Sequence, residues 1–226
     1  MMSRSAHPDW RAEIWSRMRE LFWLKLLGTA LWTTLFFIGY FELLRHPAHP
    51  VTVMPLTWVD ALVPFQPAML WPYLSLWFYI GIAPGLQRGF PQLLVYGLWT
   101  VVLMGGGLAI FHFWPTAVPP LTLDRTLYPG FSMLEGVDAA GNASPSMHVA
   151  SAVFTGIRIH AVLRETGSPM ALRLANLVWA ALIAWSTMAV RQHVALDVLG
   201  GACLGLLVAL ASLRWRPSTG YHAPRP

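Results

Sequence analysis

Six stretches of the chain are long and apolar enough to cross a bilayer, and no other feature restricts its fold as tightly. A backbone in hydrocarbon finds no water to bond, so only helices or closed barrels can span it. Runs of about 20 apolar residues are helix-length. They fall at about 21–44, 68–86, 91–114, 145–163, 171–190 and 193–213. The pattern predicts an all-α polytopic membrane protein, with six transmembrane helices packed as one bundle. Composition agrees: 11% of residues are charged, against roughly a quarter in a soluble domain. Many of the 12 tryptophans lie near run ends, as in the aromatic belts of a membrane–water interface.

The surplus of basic residues is topology charge. Of the 15, only Lys25 is not arginine. They lie in short segments beside the runs, without the basic stripe or motif a nucleic-acid partner needs. With the N-terminus in the cytoplasm, Arg4, Arg11, Arg17, Arg19, Lys25, Arg88, Arg158, Arg164, Arg173, Arg214, Arg216 and Arg225 fall near the inner side. Only Arg45, Arg125 and Arg191 fall outside, so both termini are expected in the cytoplasm of a plasma membrane, bacterial inner membrane being the expectation. The one cysteine, Cys203, lies mid-run and permits no disulfide framework. The first run exceeds a signal h-region in length and reads as an anchor.

Three regions follow. Residues 1–20 are a cytoplasmic or interfacial segment, in which Trp10, Ile14 and Met18 recur at four-residue spacing on an amphipathic helix over 8–20. Residues 21–214 form the six-helix domain, with an extracytoplasmic loop at 115–144, and residues 215–226 a cytoplasmic tail. Within 46–66, the run Leu56–Leu62 is too short to span; it lies in the interface or dips into the bundle.

Two polar segments then meet at the outer face. Gly141-Asn142-Ala143-Ser144-Pro145-Ser146-Met147-His148 opens the fourth span. Ser144 before Pro145 reads as a cap followed by proline at the first helical position. The N–H groups of Ser146 and Met147, with His148 in the same turn, would then offer an anion a helix N-terminus. Asn142 completes this phosphate-binding set. In the second segment, running from Ser186 to Asp197, His193 and Asp197 are four apart and share a helical face. A carboxylate beside one imidazole nitrogen fixes the tautomer and leaves the other free to attack. His112 and His160 read as packing residues.

Pro145-Ser146-Met147-His148 resembles the Pro-Ser-x-His motif of the phosphatidic acid phosphatase type 2 superfamily. Ser186-Thr187 through His193 to Asp197, followed by Val198-Leu199-Gly200-Gly201, resembles its third motif. The resemblance covers about half the chain. It implies a metal-independent lipid-phosphate phosphatase or phosphotransferase without cofactor, with a lipid phosphate or phospholipid as substrate. It also implies that His193 is the nucleophile that becomes phosphohistidine, Asp197 its support and His148 the general acid, an arrangement that makes chemical sense unaided.

The family's first motif, Lys-x6-Arg-Pro, is absent, and Thr187 stands where its third-motif arginine usually falls. Ser186-Thr187, with Trp-Pro-Thr-Ala-Val-Pro-Pro at 114–120, is more similar to the branch of inositol-phosphorylceramide and sphingomyelin synthases, which transfer a phospho-headgroup between lipids. Positive charge for the phosphate is then expected from Arg125 or Arg191, the basic residues near the site on the outer face. Two other classes compete. A His-ligated redox or metal protein would call for a Cys-x-x-Cys-His or a close His/Cys cluster, and the chain has neither; no metal site is expected. A transporter using Asp197 would call for repeat symmetry, and none is evident.

Overall fold

The computed structural model describes residues 9–120, 128, 130–131 and 141–215. Eight α-helices are found among them: α1 (Trp10–Arg19), α2 (Phe22–Arg45), α3 (Trp58–Leu62), α4 (Leu70–Gly85), α5 (Gly89–Phe113), α6 (Met147–Glu165), α7 (Met170–Ala189) and α8 (Ala195–Arg214). A single 3-10 turn (Pro67–Met69) leads into α4. Two short strands, β1 (Thr52–Val53) and β2 (Thr116–Ala117), pair in parallel with Thr52 opposite Thr116. The chain is all-α apart from this clip. The six long helices fall within a few residues of the six apolar runs.

Six spans were expected, and the structure corrects that number. Four helices (α2, α5, α7 and α8) are long and apolar enough to cross a membrane, which makes the chain a polytopic membrane protein. α4 has 16 residues, short of a span. α6 has 19 but carries Arg158, Arg164 and Glu165. Of the two, α6 is an interior helix, whereas α4 buries one face and exposes Trp71 and Phe78 on the other. α6 packs against α4, α5, α7 and α8, so its residues meet protein rather than lipid and need not be uniformly apolar. Buried Arg158 donates to the Gln87 amide oxygen at 3.0 Å and the Ser212 carbonyl at 3.3 Å, and lies 5.5 Å from the Tyr96 ring.

Glycines set the tightest contact. A Cβ at Gly201 would collide with the Ser146 carbonyl, and one at Gly205 with that of Ala150. The stripe on α8 therefore lets its backbone lie directly on α6, as small residues do at membrane helix interfaces. The main core gathers around these two helices, with Phe154 of α6 and Ala209 of α8 joined by Leu103 of α5 and Ile183 of α7.

α1 folds back onto one end of the bundle. Asp9 caps it by accepting the Arg11 N–H at 3.0 Å, and Leu21 breaks it from α2 in a left-handed conformation, φ 54°. The expected apolar face is used, because Ile14 and Met18 pack on the core. Arg17, buried to 1% exposure, bridges Glu13 and Glu165 at 2.7 Å each. Burial alone would lower its pKa, but the two carboxylates outweigh that and hold the charge. Lys25 donates to the carbonyls of Arg17 and Gly85, fastening α1, α2 and α4 together.

Candidate active site

At the opposite end, the two motif segments come together. The leading residue of α6 is Met147, and its N-cap is Ser146, whose hydroxyl accepts the Val149 N–H at 3.3 Å. This corrects the expected start at Ser144-Pro145. The reason lies in the fold: Ser144 is held outside the helix by buried Thr116, whose hydroxyl accepts the Ser144 N–H at 2.7 Å and whose carbonyl accepts that of Ala143 at 3.2 Å. The strand pair thus sets where α6 begins, and no local signal in 141–148 reports it.

Ser146 also departs from its expected geometry. Its N–H donates to the Asp197 carbonyl at 3.0 Å, so that group is not offered to a ligand. Instead the bond ties the start of α6 to the first turn of α8, one motif to the other. The Met147 side chain lies against Gly107 of α5. Asn142 adopts φ 51°, a left-handed conformation that asparagine tolerates, and donates its amide to the Tyr40 carbonyl at 2.9 Å.

His193 lies in the turn between α7 and α8. Its N–H and that of Gln192 both donate to the Thr187 carbonyl, at 3.1 and 2.9 Å, and Arg191 reverses the chain at φ 60°. Asp197 is fully buried; its carboxylate accepts the Val194 N–H at 3.0 Å and lies 3.5 Å from His193 Nδ1. The two side chains do meet, but His193 reaches Asp197 from the turn ahead of α8 and not, as expected, from the same helical face. With Nδ1 turned to the carboxylate, Nε2 is the nitrogen left for a ligand. The hydroxyls of Ser186 and Thr187 bond back to their own helix, at Ile183 and Ala184.

His148 and His193 line the same cavity, about 430 Å³, with Asn142 and Met147 also in its wall. The other walls are largely apolar: Phe36 and Phe37 from α2, Tyr73 and Trp77 from α4. The His148 ring stacks flat on Tyr73, centroids 4.1 Å apart and planes within 8°, and meets Trp77 edge-on at 5.7 Å. These aromatics, four apart on α4, were not anticipated as site residues, since aromatic spacing of that kind most often marks core.

A second cavity, about 520 Å³, adjoins His193 from another direction, lined also by Thr57, Asp60, Arg191 and Pro119. Asp60 is the other residue missed. Buried on α3, it accepts from the Thr57 N–H and hydroxyl at 2.7 Å each and from the Ala195 N–H at 2.8 Å. Burial would push its carboxyl up, but those bonds outweigh it and hold the pKa below the ordinary carboxylate range. Its carbonyl accepts from Arg191 at 3.2 Å. The capping pattern Thr57-x-x-Asp60 was the available sequence signal. Arg125 lies outside the described residues. Neither His112 nor His160 lines either cavity, and among the described residues no three His, Cys, Asp or Glu side chains cluster as metal ligands would.

The fold and its site define a class: a polytopic helical membrane protein with a histidine–carboxylate pair and a second histidine across an apolar cavity at one end. Within that class the chain belongs to the PAP2 superfamily, a group of membrane phosphatases and phosphotransferases, whose family model matches residues 66–221. No curated protein and no solved structure matches it.

Proposed function

We propose that the chain cleaves or transfers a phosphate ester carried by a lipid, through a phosphohistidine, at the extracytoplasmic face of a plasma membrane of bacterial inner-membrane type with both termini cytoplasmic. The observation that carries this reading is the shared cavity: His148 and His193 line one apolar space, and the Asp197 carboxylate lies 3.5 Å from Nδ1 of His193. An apolar cavity ending in two imidazoles fits an amphiphile whose phosphorus lies between them.

In the first step Nε2 of His193 attacks phosphorus, the bond to the lipid oxygen breaks, and His148 supplies that oxygen's proton. Asp197 stabilises the imidazolium as charge develops. In the second, an oxygen nucleophile displaces His193 from phosphorus and gives its proton to His148. Water completes a phosphatase cycle; an alcohol completes a transfer. Arg191, on the second cavity with His193, is the described cation nearest this chemistry, with Arg125 as the other candidate; Ser146, Asn142 and Met147 complete the expected phosphate-binding set. No cofactor or metal enters the scheme.

One observation favours transfer of the inositol-phosphorylceramide synthase type. The 520 Å³ cavity beside His193, with Asp60 and Arg191 on its wall, leaves room for a polar headgroup or acceptor that a bare phosphate would not use. A panel of phosphatidic acid, phosphatidylglycerophosphate, polyprenyl diphosphate and phosphoinositol lipids, run with and without inositol or ceramide and read by mass spectrometry, decides between the two. Turnover that survives chelation of metals and is blocked by orthovanadate is expected. Failure to process any member of the panel overturns the proposal.

A further inference from the structure

The cavity holding the histidines does not end near them. At Thr33, Ile80, Met104 and Ser151 it meets a second apolar cavity of about 350 Å³, which continues along the bundle to Lys25 and Pro84. One face of α2 lines both. Its residues step from Lys25 through Gly28 and Trp32 to Thr33 at the far half, then through Phe36 to Tyr40 at the histidine half, the spacing of a helical stripe. α2 itself is the most peripheral of the four long apolar helices, with only 6% of its apolar window buried. It stands against α4 and α5 with this crevice behind it.

From Lys25 to Tyr40 such a stripe rises about 22 Å. One leaflet's hydrocarbon is about 15 Å deep, so the crevice reaches past the midplane and fits one extended chain of roughly 16 to 18 carbons. Its far end is polar: the Lys25 ammonium, 5% exposed and bonded to the Arg17 and Gly85 carbonyls, forms a floor at which further methylenes would meet a charge. We infer that this crevice is a chain-length gauge, taking a single hydrocarbon chain of the lipid whose phosphate meets His193. This rests on the proposed function and adds to it the substrate's tail.

Two glycines make the inference testable. Gly28 and Gly97 both line the far cavity, and a Cβ at either meets no atom within 4 Å. Leucine there starts from a Cβ free of contacts, adds bulk to the crevice wall, and improves helix propensity. Gly105 on α5 is equally open but outside the crevice, so Gly105→Leu is the control. The substrates are lysophosphatidic acids and lysophosphatidylinositols bearing 8, 12 or 16 carbons. The wild type is expected to prefer 16. Gly28→Leu and Gly97→Leu should lose about tenfold or more on 16 carbons, through methylenes no longer buried, while keeping their rate on 8. Equal loss at all lengths, or none, overturns the gauge.

If the wild type turns over none of these lipids, the larger panel judges the proposed function, and a binding measurement judges the crevice alone. Gly97→Cys in a Cys203→Ala background is labelled by a membrane-permeant maleimide. Protection by hexadecyl phosphate but not octyl phosphate upholds the gauge; equal protection by both, or by neither, overturns it.

Discussion

The His193 N–H is held by the Thr187 carbonyl, and the Asp197 carboxylate, which accepts the Val194 N–H, lies 3.5 Å from the imidazole Nδ1. His193→Ala should remove turnover entirely, and His148→Ala should lower it by about 10²–10⁴-fold, the usual worth of a general acid. Near-normal turnover by either purified, folded variant would overturn the assigned roles. Asp60 makes a different prediction, on stability. Its carboxylate collects three donors, so Asp60→Asn should destabilise by about 2 kcal/mol at neutral pH. A depressed folded pKa contributes stability above the unfolded value and loses it as pH falls through the folded one. The melting-temperature gap between wild type and Asp60→Asn should therefore hold from neutral pH down to the ordinary carboxylate range and close below it. A gap independent of pH would mean the charge is not what matters.

Among the elements, α8 on α6 is decisive, because α6 carries His148 and α8 carries Asp197, the carboxylate beside His193. Gly201→Ala would place a methyl against the Ser146 carbonyl and force the helices apart. It should cost about 1–3 kcal/mol of stability, and turnover should fall further than stability implies, since a shift of about 1 Å at a reacting centre can cost 10²-fold. Thermal unfolding and activity measured together in detergent distinguish this from simple unfolding. At the other end, Arg17→Met should destabilise by about 3 kcal/mol by removing the buried cation between Glu13 and Glu165, with little effect on chain-length preference. The six apolar runs revealed α2 and α4 to α8 nearly to the residue. The start of α6 was not legible, because Thr116, some 30 residues upstream, decides it through hydrogen bonds. The split between lipid-facing and interior helices was equally hidden, because hydropathy reports what a helix can tolerate and not what surrounds it.

For the whole molecule, the orientation inferred from arginine asymmetry is open to a direct check. Reporter fusions after residue 120 should read as extracytoplasmic and those at the C-terminus as cytoplasmic; the reverse would move the site to the inner face. The family match over residues 66–221 leaves α1 and α2 outside it, and α2 is the helix that walls the crevice. Features particular to this chain's substrate are therefore expected there rather than in the two histidine motifs.

By itself the sequence determined that the chain lives in a bilayer, which runs become helices, and that His193 and Asp197, four residues apart, lie close; these follow from hydropathy and from separations only a few residues long. Only the tertiary structure decided that His148 meets the same cavity as His193, that Tyr73 and Trp77 join them there, that Asp60 lines a second cavity beside His193, and where the crevice runs. Those contacts join residues far apart in the chain, and they depend on how closely whole helices approach, which no local pattern records.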